Sequence, residues 1–211
     1  MRISCALVSE GPSDLCLQRL TQLLIRDLFP QTEIEFLPGD GTIIRNPPGP
    51  VIEWIRNAYN QFNPSLILVH RDSDNEGPAS RLDEIDAALA DLRLPSTTKA
   101  ARVVPVRKTE AWLLADKQAI LRVLKQTKFD QRVLESFPAF KNIEDIEAKA
   151  RLKKILEESR IFNGARRKDI NFTNDRQLLG REINDLASLR KLASFQTFEE
   201  DLQNALTALT A

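Results

Sequence analysis

Apolar and polar positions along the chain follow two periods in turn. Ile3–Ser9 (ISCALVS) is apolar almost throughout and stops at Gly11-Pro12, as a buried strand does. The next stretch, SDLCLQRLTQLLIRDLF, sets Leu15, Leu20, Leu23, Leu24 and Leu28 along one helical stripe, and Pro12 suits the first turn of that helix. TEIEFLP alternates as a strand, and GDGT and NPPGP then mark loops. VIEWIRNAYNQF returns to helical spacing, SLILVH reads as a third strand, and PASRLDEIDAALADL as a further amphipathic helix. ARVVPV reads as a fourth strand, which Pro105 places at a sheet edge or brings to its end. After KTEAWLLADKQAILRVLKQ the strands stop. NIEDIEAKARLKKILEESR, DRQLLGREINDLASLRKLA and TFEEDLQNALTAL all read as helical, the last opened by Thr197 and Glu200 at capping-box spacing.

Strands alternating with helices through residue 106 predict an α/β fold: a mostly parallel sheet flanked by helices on both faces. The expected division is an α/β domain over residues 1–116 and an all-helical region over 117–211, packed on the sheet. No repeat, low-complexity tract or long linker interrupts the chain. Its 211 residues suffice for one good core, and 42% hydrophobic with 28% charged residues is an ordinary globular composition. No apolar run approaches the roughly 18 residues that cross a bilayer. MRISCALVSEG turns acidic too soon for a secretory signal, so the expectation is a cytoplasmic protein with no membrane partner. Cys5 in a strand and Cys16 in a helix read as buried, reduced thiols.

Net charge is zero but unevenly spread. The first hundred residues carry 14 Asp and Glu against 9 Lys and Arg, and the remainder 16 against 21. An acidic site in one part and a phosphate-tolerant surface in the other would suit that split.

The acids gain meaning from their positions. In an open parallel sheet, ligands bind beyond the carboxyl ends of the strands, where successive loops converge. Glu10 follows the first strand, Asp72 and Asp74 the third, and Glu110 lies a few residues past the fourth. Asp14 is one helical turn past Glu10, and Asp40 follows the second strand. Asp72 and Asp74, two residues apart in an extended segment, leave on the same side. Two such charges about 4 Å apart repel by about 1 kcal/mol in water and about 4 kcal/mol at a near-surface dielectric. The cluster must therefore bind a cation, take up a proton or spread apart. Hard oxygen donors favour Mg²⁺ or Mn²⁺.

Other residues carry two readings each. Asp14 and Glu110 either join the acidic rim or only favour helix N-termini. Lys108, close to the rim, either steadies a phosphate in a transition state or is a surface lysine. Arg166, Arg167 and Lys168 form a basic run that contacts phosphates or is simply solvated. His70, the one histidine, reads as a strand-end residue, and Trp112 as a core anchor.

Glu10-Gly11 after strand one, with Asp72-x-Asp74-x-x-Gly77 after strand three, resembles the Toprim domain shared by topoisomerases, primases and OLD-family nucleases. The resemblance covers roughly residues 1–115. VSEGPSD followed by TEAWLLAD is similar to a branch of small stand-alone bacterial Toprim proteins. DLASLRKLASFQTFEEDL also looks like that branch, though less specifically. The resemblance implies that Glu10 is a general acid/base, that Asp72 and Asp74 hold a metal, and that Asp14 joins a second metal position as in OLD-like nucleases. It implies nucleic acid as substrate, DNA before RNA.

Tyr59, the one tyrosine, falls in a predicted helix and does not suit topoisomerase chemistry, and no GxxxxGK[ST] sequence occurs. An ATPase partner would therefore be encoded separately. The resulting expectation is a Mg²⁺-dependent phosphodiester hydrolase in defence or DNA processing. The alternative is a Toprim-like regulatory or binding subunit. A receiver-like phosphoacceptor is a third, weaker thought, lacking a fifth strand with its lysine. A homodimer through the helical tail is a plausible further expectation, although no sequence signature marks it.

Overall fold

Arg2–Val8 (β1), Glu33–Leu37 (β2), Leu66–His70 (β3) and Lys99–Val103 (β4) form one sheet in the order β2-β1-β3-β4, every neighbour parallel. This arrangement comes from a computed structural model that describes residues 1–37, 49–125, 135, 137–159 and 171–210. The side-chain period of two sorts each central strand between two helical layers. Ile3, Cys5 and Leu7 of β1, Leu66 and Leu68 of β3, and Ala101 and Val103 of β4 enter one core. Ala6, Val8, Ile67 and Val69 enter the other. The second core is covered by Val51–Phe62 (α2) and Pro78–Leu92 (α3), through Trp54, Ile55, Ala58, Ile85 and Ala88.

The first core is larger and takes in the rest of the chain. Cys16–Leu28 (α1), Glu110–Ala115 (α4), Lys117–Lys125 (α5), Ala148–Ser159 (α6), Phe172–Glu182 (α7) and Ala193–Thr210 (α8) all contribute to it. The expected α/β sheet with a helical C-terminal region packed on it is the observed fold. Trp112 of α4 is the central piece. Fully buried, it meets Phe195 edge-on at 5.0 Å, stacks on Phe198 at 5.7 Å, and donates its Nε1–H to Ser194 Oγ at 2.8 Å.

Expected boundaries moved where short polar side chains compete for the backbone. The stretch after the last strand forms two helices, not one, because Asp116 Oδ1 accepts the Ala119 N–H and starts α5 afresh. The helix expected from Asp175 onward starts earlier, capped by Asn171, and ends at Glu182. There Asp185 takes the Ala187 N–H and Asn184 donates to the Glu182 carbonyl. Thr197 does not open the last helix. It lies inside α8 and donates to the Ala193 carbonyl one turn back. The cap comes instead from Glu144, which accepts the Ala193 and Ser194 N–H groups and the Ser194 hydroxyl from 49 and 50 residues away. The four helical residues gained reach back to Phe195, and with it the Trp112 cluster.

β4 is a sheet edge, and Pro105 lies just past its end. An open edge invites pairing with another chain. Here α8 covers it: Asp201 accepts the Arg102 backbone N–H at 3.3 Å and grips the Arg102 guanidinium at 2.5 and 2.8 Å, with Asp86 on the third nitrogen at 2.6 Å. Cys5 and Cys16 are buried and unpaired, as expected. Among the described residues no helix is long and apolar enough to cross a membrane.

Candidate functional site

From β1 the chain passes to β2 on one side, and β3 lies on the other, so the carboxyl ends of β1 and β3 border a crevice at the topological switch. Glu10 leaves β1 there, and Arg71 to Asp74 leave β3. β4 ends beside them and delivers Lys108, Thr109 and Glu110.

The β3 and β4 loops are tied together. Ser73 Oγ donates to the Pro105 carbonyl at 2.9 Å and accepts the Arg107 N–H at 2.6 Å, while the Asp74 N–H donates to the Arg107 carbonyl at 3.0 Å. Asp74 and Arg107 both hold left-handed backbone (φ 46° and 60°), a conformation that is uncommon outside glycine. Gly77, the glycine of D-x-D-x-x-G, has φ 84° and ψ 158° where α3 begins. A side chain would be strained in that conformation, which explains the glycine in the motif.

The carboxylates fall into two tiers. Asp74 lies at the surface, Glu10 is partly exposed, and Asp72 is half-buried between them and the interior. Asp72 Oδ1 accepts the Thr109 N–H at 3.0 Å and the Thr109 hydroxyl at 3.3 Å, which fixes the group. Lys108 Nζ sits 2.6 Å from Asp74 Oδ1 and 3.8 Å from Asp72 Oδ2, bridging the pair. The hydrogen bond to Asp74 makes the Lys108 ammonium harder to deprotonate. Glu10 faces Arg71 at 3.6 Å, and that guanidinium lies over the Trp54 ring and reaches Glu84 at 3.6 Å. Burial pushes the Glu10 carboxyl above its usual range. Arg71 opposes this and the Asp72 charge adds to it.

Beneath them, Asp14 is 4% exposed and Glu110 1% exposed. Arg176 of α7, 4% exposed, reaches both: Nη2 donates to Asp14 Oδ1 at 3.1 Å, and Nη1 lies 3.4 Å from Glu110 Oε1. Asp14 Oδ2 also accepts the Gly11 N–H at 3.2 Å. Burial pushes the Glu110 carboxyl up, and the Arg176 charge offsets that only in part. His70, closing β3, donates Nδ1–H to the Val103 carbonyl at 2.9 Å. Its Nε2 faces Thr109 Oγ1 at 3.3 Å, Asp72 at 3.6 Å and Asp14 at 3.8 Å, so the ring joins the two tiers.

Arg176 reaches this depth because α7 lies unusually close to α1. At Gly180, one turn beyond Arg176, a Cβ would come within 2.7 Å of Cys16 Cβ and 3.0 Å of its Cα. Gln177 Nε2 donates to the Pro12 carbonyl at 3.2 Å alongside. Gly180→Ala is expected to push α7 outward and destabilise the protein by about 1–3 kcal/mol, as overpacking does. Urea denaturation measures it, and an unchanged midpoint would show that the two helices separate freely.

Glu10, Asp14, Asp72, Asp74, Lys108 and Glu110 thus border one end of the sheet, as their sequence positions suggested. Every acid among them, however, is turned toward a cationic side chain. Among the described residues no three His, Cys, Asp or Glu side chains gather as a metal-holding group. Arg166, Arg167, Lys168 and Asp40 lie outside the described residues. Sequence reasoning missed Arg176 entirely, and it gave Arg71 and His70 no part in holding the acids. No linear pattern announces a guanidinium 162 residues from its partner.

The donor chemistry suits a hard divalent ion in one place. Asp72 and Asp74 already share a cationic group, and Mg²⁺ keeps several waters and commonly takes only one or two carboxylates from the protein. Such an ion would fall to that pair. Comparison with protein-family models, with curated proteins and with solved structures finds no match for the chain.

Proposed function

We propose that the protein is a Mg²⁺- or Mn²⁺-dependent phosphodiester hydrolase acting on nucleic acid, DNA before RNA, in the manner of the Toprim and OLD-like nucleases it resembles. The observation that carries the reading is the Asp72–Lys108–Asp74 bridge beside Glu10 at the switch point of a parallel sheet. Two carboxylates sharing one cation at a ligand-binding edge is what a site alternating between a lysine and a metal would look like.

Asp72 and Asp74 would hold the ion, which when bound supplies charge neutralisation at a phosphoryl oxygen. Thr109 keeps Asp72 oriented through two hydrogen bonds to Oδ1. Lys108, released from Asp74, would turn its ammonium to the phosphate. Glu10 would accept the proton of the attacking water, since its raised proton affinity makes it a better base than an ordinary carboxylate. Arg71 keeps that carboxylate in place. Cytoplasmic location and an ATPase encoded separately, in a defence or DNA-processing role, belong to the same proposal.

Purified protein incubated with plasmid, linear DNA and RNA in Mg²⁺ and in Mn²⁺, beside Glu10→Gln, tests the reading. Cleavage by the wild type alone supports it, and equal cleavage by both preparations points to a contaminant. Glu10 must be deprotonated to act as base, and burial raises its pKa. Activity is therefore expected to climb with pH along a limb lying above the usual carboxylate range. A limb already complete at pH 4 would remove Glu10 from the role.

A further inference from the structure

The lower tier raises a separate question: whether it also takes a metal ion. Asp14 and Glu110 would be natural ligands for a second one, both being carboxylates at the same crevice. Yet both oxygens of Glu110 are buried without a hydrogen-bond donor, a costly state for a carboxylate unless a cation compensates. The cation within ion-pair distance is the Arg176 guanidinium, which also donates to Asp14. A guanidinium in contact with both acids leaves no space for an ion about 2.1 Å from each, and its charge would repel one.

Arg176 is not free to leave. It is buried, Gly180 sets α7 against Cys16, and Gln177 is bonded to the turn that carries Asp14. Lys108, by contrast, is partly exposed at the upper tier and can swing away from its acids. One cation is removable and the other built in.

We propose that Arg176 permanently occupies the position of a second divalent cation, so that each chain binds one metal ion, at Asp72 and Asp74, and none between Asp14 and Glu110. This rests on reading the upper tier as a metal seat. Arg176 then acts as a positioning residue. It is in ion-pair contact with Asp14 and Glu110 beneath the site and supplies fixed positive charge from the helical region.

Titrating Mn²⁺ into the full-length protein, with free ion followed by electron paramagnetic resonance, counts the sites. One Mn²⁺ per chain is expected. Two would overturn the inference while leaving the metal reading intact, and none would overturn the metal reading itself. Arg176→Met, which keeps an unbranched apolar stem but removes the guanidinium and its charge, is expected to bind a second Mn²⁺. Its thermal midpoint, lowered without metal, should rise with Mn²⁺ by more than the wild type's. A folded Arg176→Met that still binds only one overturns the inference. Should that variant not fold, Glu110→Gln decides: one Mn²⁺ bound with affinity within about twofold of wild type supports the proposal, and a tenfold loss overturns it.

Discussion

Asp72→Asn is expected to reduce metal-dependent cleavage by about 10²-fold or more, with little change in folding. The substitution keeps an oxygen for the Thr109 N–H and hydroxyl, so the loop retains its shape. What it removes is the charge that faces Lys108 and would face the ion. Mn²⁺ affinity should fall in parallel, while circular dichroism and the thermal midpoint stay near wild type. Cleavage unchanged in Asp72→Asn would mean that the chemistry happens elsewhere, and a fall matched by loss of structure would make Asp72 a loop residue only.

Trp112→Ala is expected to cost about 3–5 kcal/mol, the upper end for a single core truncation. For a chain of this length each kcal/mol lowers Tm by about 2–4 °C, so a drop of about 10 °C is expected by calorimetry. The ring is fully buried between two phenylalanines of α8 and lies on α4, which begins with Glu110. Its loss would open a cavity where the helical region meets the sheet layer, and it would also leave Ser194 Oγ without its indole donor. Trp112→Phe keeps most of the packing and loses mainly that hydrogen bond, worth about 1 kcal/mol. Equal, small losses in both variants would show that α8 is held by other contacts.

Residues 110–116 run from the buried acid Glu110 through Trp112 to Asp116, so the same short helix presents a carboxylate to the crevice and an indole to the core. The helical region therefore does more than cover the sheet. Through α7 it inserts the charge that compensates Asp14 and Glu110, and through α8 it buries Trp112 and closes the β4 edge.

The local pattern of the chain was enough to define the α/β layers. Val51–Phe62 and Pro78–Leu92 fall where helical periodicity placed them, and β1 and β3 where apolar runs did, because period and burial are properties of neighbouring residues. The rim was legible for the same reason: acids just past strand ends must converge once the sheet is parallel. What only the tertiary structure decided is how each charge is compensated. Arg176 meets Asp14 across 162 residues, Glu144 caps α8 from 49 residues away, and Lys108 bridges Asp72 and Asp74 from a different loop. Such pairings depend on the distance between helices and loops, and at Gly180 that distance is set by the absence of a single methyl group.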